Sequence, residues 1–231
     1  MISIAMPTYE SFGRGTEFLD FQFQKFREQT YKDFEVVISD HSKDDNIENL
    51  CKKYDGIINI NYARNEENRG NFTDNTNRAM KRCNGDIIKI LFQDDFLLDH
   101  NSLEKINNAF DENTNWLITA CEHTYDGTTL HRTHHPTYNE LIYTGKNTIG
   151  NPSVLSVRNK NDMLFFDERM LWTVDVDYYK RLHDKFGPPT IINDITVVIR
   201  LWDRQLTHLI PPQRKQREVN LSIEKHGKHK E

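Results

Sequence analysis

The chain is poor in cysteine: Cys51, Cys83 and Cys121 are odd in number, widely spaced and form no CxxC pair. Neither a disulfide framework nor a zinc knuckle is indicated, and a reducing cytosol is the expected setting. No apolar run approaches the ~20 residues that a bilayer-spanning helix needs. No basic stretch and apolar core precede the strand-like Ile2-Ser3-Ile4-Ala5-Met6, so no secretory leader is read there. Positive charge is not in excess either: the formal net charge is −5, which argues against general affinity for nucleic acid. Internal repeats and dividing linkers are missing as well. With 36% hydrophobic and 28% charged residues over 231 positions, the composition suits a globular α/β unit with one sizeable core.

The first half alternates two kinds of segment. Ile2 to Met6, Glu35 to Ser39, Ile57 to Tyr62 and Ile87 to Phe92 are short apolar runs that read as strands. Between them, Phe18, Leu19, Phe23 and Phe26 recur at helical spacing after a capping Thr16. Ile47 to Tyr54 and Asn71 to Cys83 also read as helices, the latter with Gly85 as a left-handed stop. Continuous rather than alternating apolar strands, separated by helices, predict a mostly parallel sheet covered on both faces. In the second half, Trp116 to Cys121, Val154 to Val157 and Thr196 to Leu201 are further strands, and Asp175 to Phe186 is a helix stopped by Gly187-Pro188-Pro189. The stretch from Asp126 to Gly150 is an extended excursion. From Gln213 onwards the chain is polar and mostly basic, with Arg214, Lys215, Arg217, Lys225, Lys228 and Lys230, and reads as a solvated tail peripheral to any chemistry.

Parallel sheets bind ligands beyond the carboxyl ends of their strands. Pro7-Thr8, Asp40-His41 and Asp94-Asp95 all fall at such ends. Two adjacent carboxylates leaving a buried strand are costly unless something positive sits on them. Oxygen ligands select hard cations, so Mg²⁺ or Mn²⁺ carrying a nucleotide diphosphate is the expected partner of Asp94 and Asp95. His131, His134 and His135 have helical ligand spacing, but the Thr and Pro around them make the segment a polar loop rather than a zinc site.

Taken in order, these segments resemble the family 2 glycosyltransferases with the GT-A fold. The resemblance is carried by Ile4-Ala5-Met6-Pro7-Thr8-Tyr9, by Gln29 to Asp40, by Asn68-Arg69-Gly70, by Gly85-Asp86-Ile87-Ile88 running into Asp94-Asp95, and by Asp175-Val176-Asp177-Tyr178-Tyr179 before Arg181-Leu182. It implies one GT-A domain over residues 1–212, with a nucleotide-binding half (1–100), an acceptor-side half (101–212) and the basic tail (213–231). It also implies sugar transfer from a nucleotide-activated donor to an acceptor hydroxyl, with inversion at the anomeric carbon. The acceptor would be a glycan, a polysaccharide or a lipid-linked molecule.

Carried over position by position, the resemblance puts Pro7, Thr8, Tyr9, Asp40 and Arg69 beside the nucleotide. Asp94 and Asp95 take the metal and diphosphate, and Ser153, in Gly150-Asn151-Pro152-Ser153, lines the donor-sugar space. Asp175 becomes the base, with Asp177 in reserve; Asn77 is structural, and Arg200 and Thr207 belong to a segment that closes over the donor phosphates. Three positions depart from the family pattern. Phe92 replaces the first Asp of the DxD signature, His41 stands where a second Asp is usual, and Trp202 lies where many relatives carry a metal-binding His. These departures keep a non-catalytic binding or scaffolding role as an alternative. A nucleotidyltransferase ranks behind it, since Gly13-Arg14-Gly15 is only a faint echo of a triphosphate loop. The expected setting is cytoplasmic, with the basic tail suited to peripheral contact with anionic headgroups.

Overall fold

The computed structural model describes residues 1–227. In chain order the elements are β1 (Ile2–Thr8), α1 (Gly15–Glu28), β2 (Phe34–Asp40), α2 (Asn46–Lys53), β3 (Ile60–Arg64), α3 (Phe72–Lys81), β4 (Ile87–Ile90) and β5 (Phe96–Leu97). They continue with α4 (Ser102–Asn108), β6 (Trp116–Thr124), β7 (Leu155–Arg158), α5 (Val174–Phe186), β8 (Thr190–Arg200), α6 (Leu206–Leu209) and α7 (Pro212–His226).

The strands form one sheet in the order β3-β2-β1-β4-β7-β6-β8-β5. β3, β2, β1 and β4 run parallel, and β7 is antiparallel to both β4 and β6. β6 and β8 pair in parallel, with an irregularity around Ala120. Every residue of β1 and all but the first of β2 are buried, which requires cover on both faces and explains their unbroken apolar runs. The expected α/β architecture with a mostly parallel sheet is therefore present. Helix α3 packs on β1 and β2, and α4 packs on β8. The register sets Thr8 beside Asp40, and Leu91 follows β4 with its N–H on the Ala5 carbonyl. As a result the chain exits after Thr8, Asp40 and Leu91 lie together at one edge of the sheet.

Four local expectations change. Thr16 is no cap, since α1 already begins at Gly15 with Arg14 flanking it. Gly85 is not in the left-handed region. A β-carbon there would meet the Met1 carbonyl oxygen at 2.7 Å and the Ser3 nitrogen at 2.8 Å, so glycine permits a close approach instead. β8 begins at Thr190, six residues before the expected Thr196, because the polar Asn193-Asp194 lies on an exposed part of a strand paired to β6. The basic tail is no solvated appendage: residues 212–226 form α7, in which Glu218, Ser222 and His226 are buried. Its buried side is polar and matched by charges on α5, a pattern that apolar periodicity does not register. Lys228 and Lys230 lie outside the described residues. Among the described residues, no helix is long and apolar enough to cross a membrane.

Candidate active site

A cavity of ≈ 580 Å³ opens at the carboxyl ends of the parallel strands. Pro7, Thr8 and Tyr9 line it from the exit of β1, Arg69 and Asn75 from the loop before α3 and from α3 itself, and Asp94 from the turn after β4. Asp175, in the first turn of α5, lines the same cavity. The fold thus brings together Pro7, Thr8, Tyr9, Arg69, Asp94 and Asp175, which are 168 positions apart at the extremes (175 − 7).

The wall after β1 is held tightly. Tyr9 N–H donates to Gln93 Oε1 at 2.9 Å, and Gln93 Nε2 donates to the Gly15 carbonyl at 2.8 Å. A β-carbon on Gly15 would lie 2.4 Å from the Tyr9 carbonyl oxygen, so only glycine allows this crossing. Ser11 and Phe12 adopt left-handed backbone (φ 46° and 55°), unusual for residues with side chains. Phe12 is half exposed at the rim and packs edge-on against Tyr9 and Trp202.

Asp40 and Ser153 lie beneath the cavity rather than in its wall. Asp40 is fully buried and accepts hydrogen bonds from the hydroxyls of Thr8 (3.2 Å), Ser42 (2.7 Å) and Tyr62 (2.9 Å) and from the Ser42 amide (3.0 Å). His41 and Lys43 line the cavity beside it. Burial holds the His41 imidazole below its ordinary pKa, so it faces the cavity as a neutral ring. The Ser153 hydroxyl accepts from the Phe92 amide at 3.0 Å, fixing the turn that leads to Asp94. Arg69 lines the cavity and donates to the Ser42 carbonyl at 3.2 Å. Arg200 turns inward among the rings of Phe18, Phe21 and Phe96, whereas Thr207 lines the cavity. Asn77 is a structural clamp: its amide nitrogen donates to the Phe166 carbonyl at 3.0 Å, and its oxygen accepts from the Phe166 N–H at 2.9 Å.

The two adjacent carboxylates differ in surroundings. Asp94 faces the cavity, and Trp202 donates its indole N–H to Asp94 Oδ2 at 2.8 Å. Asp95 lies below, with Oδ2 accepting from Asn151 (2.8 Å) and Oδ1 from the Arg200 amide (3.0 Å). Loss of hydration raises the pKa of both, and the neighbouring Asp94 helps push Asp95 up to about 7. The wholly buried Lys89 donates to the Ser153 carbonyl nearby, its own pKa pushed down by burial to about 7 and partly restored by Asp95. Two adjacent carboxylates with raised pKa values at the cavity are what a divalent cation would relieve, and a cavity-facing carboxylate oxygen is a hard donor, so the donor chemistry fits Mg²⁺ or Mn²⁺ at Asp94. Among the described residues no three His, Cys, Asp or Glu converge to cage an ion, so such a cation would complete its shell with phosphate oxygens and water.

Asp175 and Asp177 separate cleanly. The Asp175 carboxylate accepts from Asn147 Nδ2 (2.7 Å) and from the Val176 amide (2.8 Å), and among the described residues no cation is paired with it. Loss of hydration pushes its pKa up to about 7, with the Glu218 charge adding to the rise. Asp177 points away, completely buried against Arg181 (2.8 Å), Lys225 (2.7 Å) and His226 (2.8 Å). It is a structural anion, not a reserve base.

The match to known proteins follows the same strands. The glycosyl transferase family 2 model covers residues 3–169, from β1 to just before the segment that leads into α5. The chain belongs to glycosyl transferase family 2. Solved structures similar to it include S. aureus TarS 1-349, at 20% identity and TM-score 0.65 over 86% of this chain and 60% of that one. The same TarS fragment in complex with UDP aligns at 18% identity and TM-score 0.69, covering 96% of this chain and 65% of that one. The mannosyltransferase PcManGT from Pyrobaculum calidifontis, in complex with GDP-Man and Mn²⁺, aligns at 13% identity and TM-score 0.69 over 100% of this chain and 65% of its own. These likenesses establish the GT-A fold. The chain spans less than two thirds of each of these structures. A comparison with curated proteins returned no match.

Beyond the sequence-derived set, the structure adds Trp202 on Asp94, Asn151 on Asp95, Asn147 on Asp175 and Glu218 behind Asp175. Trp202 and Asn151 stood in segments already marked by the family pattern. Asn147 and Glu218 carried no local signal, since each acts across a contact made only by folding.

Proposed function

We propose that this chain transfers a sugar from a nucleotide-sugar donor to an acceptor hydroxyl, with inversion at the anomeric carbon. The observation that supports this most is that Asp94 and Asp175 share one cavity at the carboxyl ends of β1 and β4 in a family 2 chain. Tyr9, Phe12 and the neutral His41 offer flat apolar faces for a base and ribose, while Arg69 offers charge to the phosphates. Asp175 takes the proton of the acceptor hydroxyl as that oxygen bonds to the anomeric carbon. The bond from that carbon to the phosphate oxygen breaks on the opposite face, and its electron pair leaves with the nucleoside diphosphate. A carboxyl with pKa about 7 is ionised enough to accept this proton near neutrality and weakly acidic enough to keep it. A Mg²⁺ or Mn²⁺ held by Asp94, with the charge of Asp95 behind it, would supply positive charge to the departing diphosphate.

The acceptor in this reading is a glycan, a polysaccharide or a lipid-linked molecule in the cytoplasm. The basic first turns of α7, with Arg214, Lys215 and Arg217, would favour anionic headgroups by ~1 kcal/mol per residue near such a surface. The test is a panel of UDP- and GDP-sugars with Mn²⁺ or Mg²⁺, assayed for released nucleoside diphosphate. Slow release from at least one donor, abolished by chelator, is expected. Release of pyrophosphate from a nucleoside triphosphate, or no turnover with any donor, would overturn the proposal.

A further inference from the structure

We infer that Glu218, on α7, is the positioning residue for Asp175. The inference rests on the reading of Asp175 as the base. At the start of helix α5 the flanking Thr173 makes no side-chain capping hydrogen bond, and of the helix's own side chains Asp175 takes the Val176 amide. The Thr173 hydroxyl is buried and, among the described residues, meets no partner. The peptides leading into the helix, down to the flanking Thr173, also need an acceptor. Theirs comes from a helix more than forty positions away. Glu218 Oε2 accepts from the amides of Leu171 (2.9 Å), Trp172 (2.6 Å) and Thr173 (3.1 Å), three consecutive peptides ending two residues before Asp175. Its other oxygen accepts from Arg214 Nε at 3.0 Å, and the residue is 4% exposed.

A carboxylate suits this place because one oxygen must take three donors while the other takes a guanidinium. Three bonds to one atom fix the orientation of the peptides leading into Asp175. Half a turn beyond it, Lys225 and His226 of the same α7 hold Asp177. Asp175 thus sits between two grips of α7, while its own carboxylate, among the described residues, is held by Asn147 and the Val176 amide. Leu171, Trp172 and Val174 line the cavity with it, so the same three bonds set base and wall together. The ionisable groups acting on Asp175 are Glu218 from α7 and Tyr179 from one turn further along α5. Asn147, from the loop before Gly150, is neutral.

The experiment uses the full chain with Glu218→Gln, which keeps the shape and removes the charge. NMR would follow exchange of the Leu171, Trp172 and Thr173 amides and the ¹³C titration of the Asp175 carboxyl. Exchange at those three amides is expected to quicken at least tenfold while β1 and β4 keep their protection, and Asp175 should titrate at lower pH once the Glu218 charge is gone. Affinity for UDP or GDP with Mn²⁺ should stay within about twofold, whereas turnover of a hydrolysed donor should fall roughly tenfold or more, against the ~10²-fold that a 1 Å misplacement can cost. Arg214→Ala, at a half-exposed position, is the second variant if the first does not fold: it should quicken the same exchange to a smaller extent and move the Asp175 titration to higher pH, because the cation that offsets the Glu218 charge is gone. Unchanged exchange and titration would overturn the inference. So would parallel loss of diphosphate binding and turnover, which marks general destabilisation. A wild type that releases nucleoside diphosphate from no donor fails at the earlier step and removes Asp175's role along with that of Glu218.

Discussion

Replacing Asn147 by alanine should move the pH profile rather than only lower the rate. Asn147 Nδ2 donates to Asp175 Oδ2 at 2.7 Å, and it stabilises the ionised carboxylate alone. A hydrogen bond to a charged group contributes ~1.5–3 kcal/mol, and the exposed position of Asn147 selects the low end. At ~1.36 kcal/mol per pKa unit, its loss raises Asp175 by about one unit, from about 7 to about 8. The ionised fraction at pH 7 then drops from ~0.5 to ~0.1, so turnover falls ~5-fold there and ~10-fold at pH 6 if Asp175 is the base. At pH 9 the two fractions are ~0.99 and ~0.91, and the variant should nearly match the wild type. Initial rates of nucleoside diphosphate release at saturating donor, from pH 5.5 to 9, read this directly. Asn147 also binds the amides of Ile149 and Gly150 and the Gly150 carbonyl. An equal loss at every pH would mean that it acts through that loop, and the reasoning on Asp175 would be refuted.

Other outcomes follow from the same geometry. Asp94→Asn/Asp95→Asn should abolish the Mn²⁺ dependence of nucleoside diphosphate binding in calorimetry; a variant whose affinity still rises with Mn²⁺ as the wild type's does would rule the metal site out. Asp94 is raised, and Asp95 and Asp175 are raised to about 7, so the folded chain holds these protons more tightly than the unfolded chain does, and stability falls as pH climbs above the ordinary 3.8. The melting temperature without metal should therefore drop between pH 5 and 7.5, with Mn²⁺ recovering part of it at the upper end; a rise over that range would contradict the assignment. Asp177 is depressed by its ring of cations, so its contribution is present above the ordinary carboxylate range and lost as pH falls below it. Truncation after Pro211 strips that buried carboxylate of Lys225 and His226 and should destabilise by ~3–5 kcal/mol, read by urea unfolding. A truncated chain of undiminished stability would restore the view of residues 213–231 as a dispensable tail.

The half of the fold built from β1, β2 and β4 was legible because strands buried on both faces have no polar alternation to mislead the eye. The convergence of their carboxyl ends followed from parallel topology alone, and Pro7, Thr8, Tyr9 and Asp94 do line one cavity. What the sequence withheld was the direction of individual side chains. Asp40 sits one residue from the cavity wall, but the following turn puts the Ser42 amide and hydroxyl onto it, and the Tyr62 hydroxyl reaches it from β3. Whether a strand-end carboxylate meets a ligand or its own chain depends on such neighbours, which are fixed only by the register of β3. Helix α7 gives no sign of itself in the sequence for a related reason. Its anchoring residues are Glu218, buried against backbone amides before α5, and His226, buried against Asp177 on α5, and no hydrophobic stripe announces them. The residues that support Asp175 were therefore hidden in the segment that looked least structured.

The central claim, that Asp175 removes a proton during sugar transfer, is tested most directly by Asp175→Asn. Nucleoside diphosphate binding with Mn²⁺ would be measured by calorimetry, and release of nucleoside diphosphate from the preferred nucleotide sugar would be measured on the same samples. The account predicts wild-type affinity with turnover reduced by ~10²–10⁴-fold, the usual cost of losing a general base. An Asp175→Asn protein that turns over its donor at the wild-type rate would contradict it.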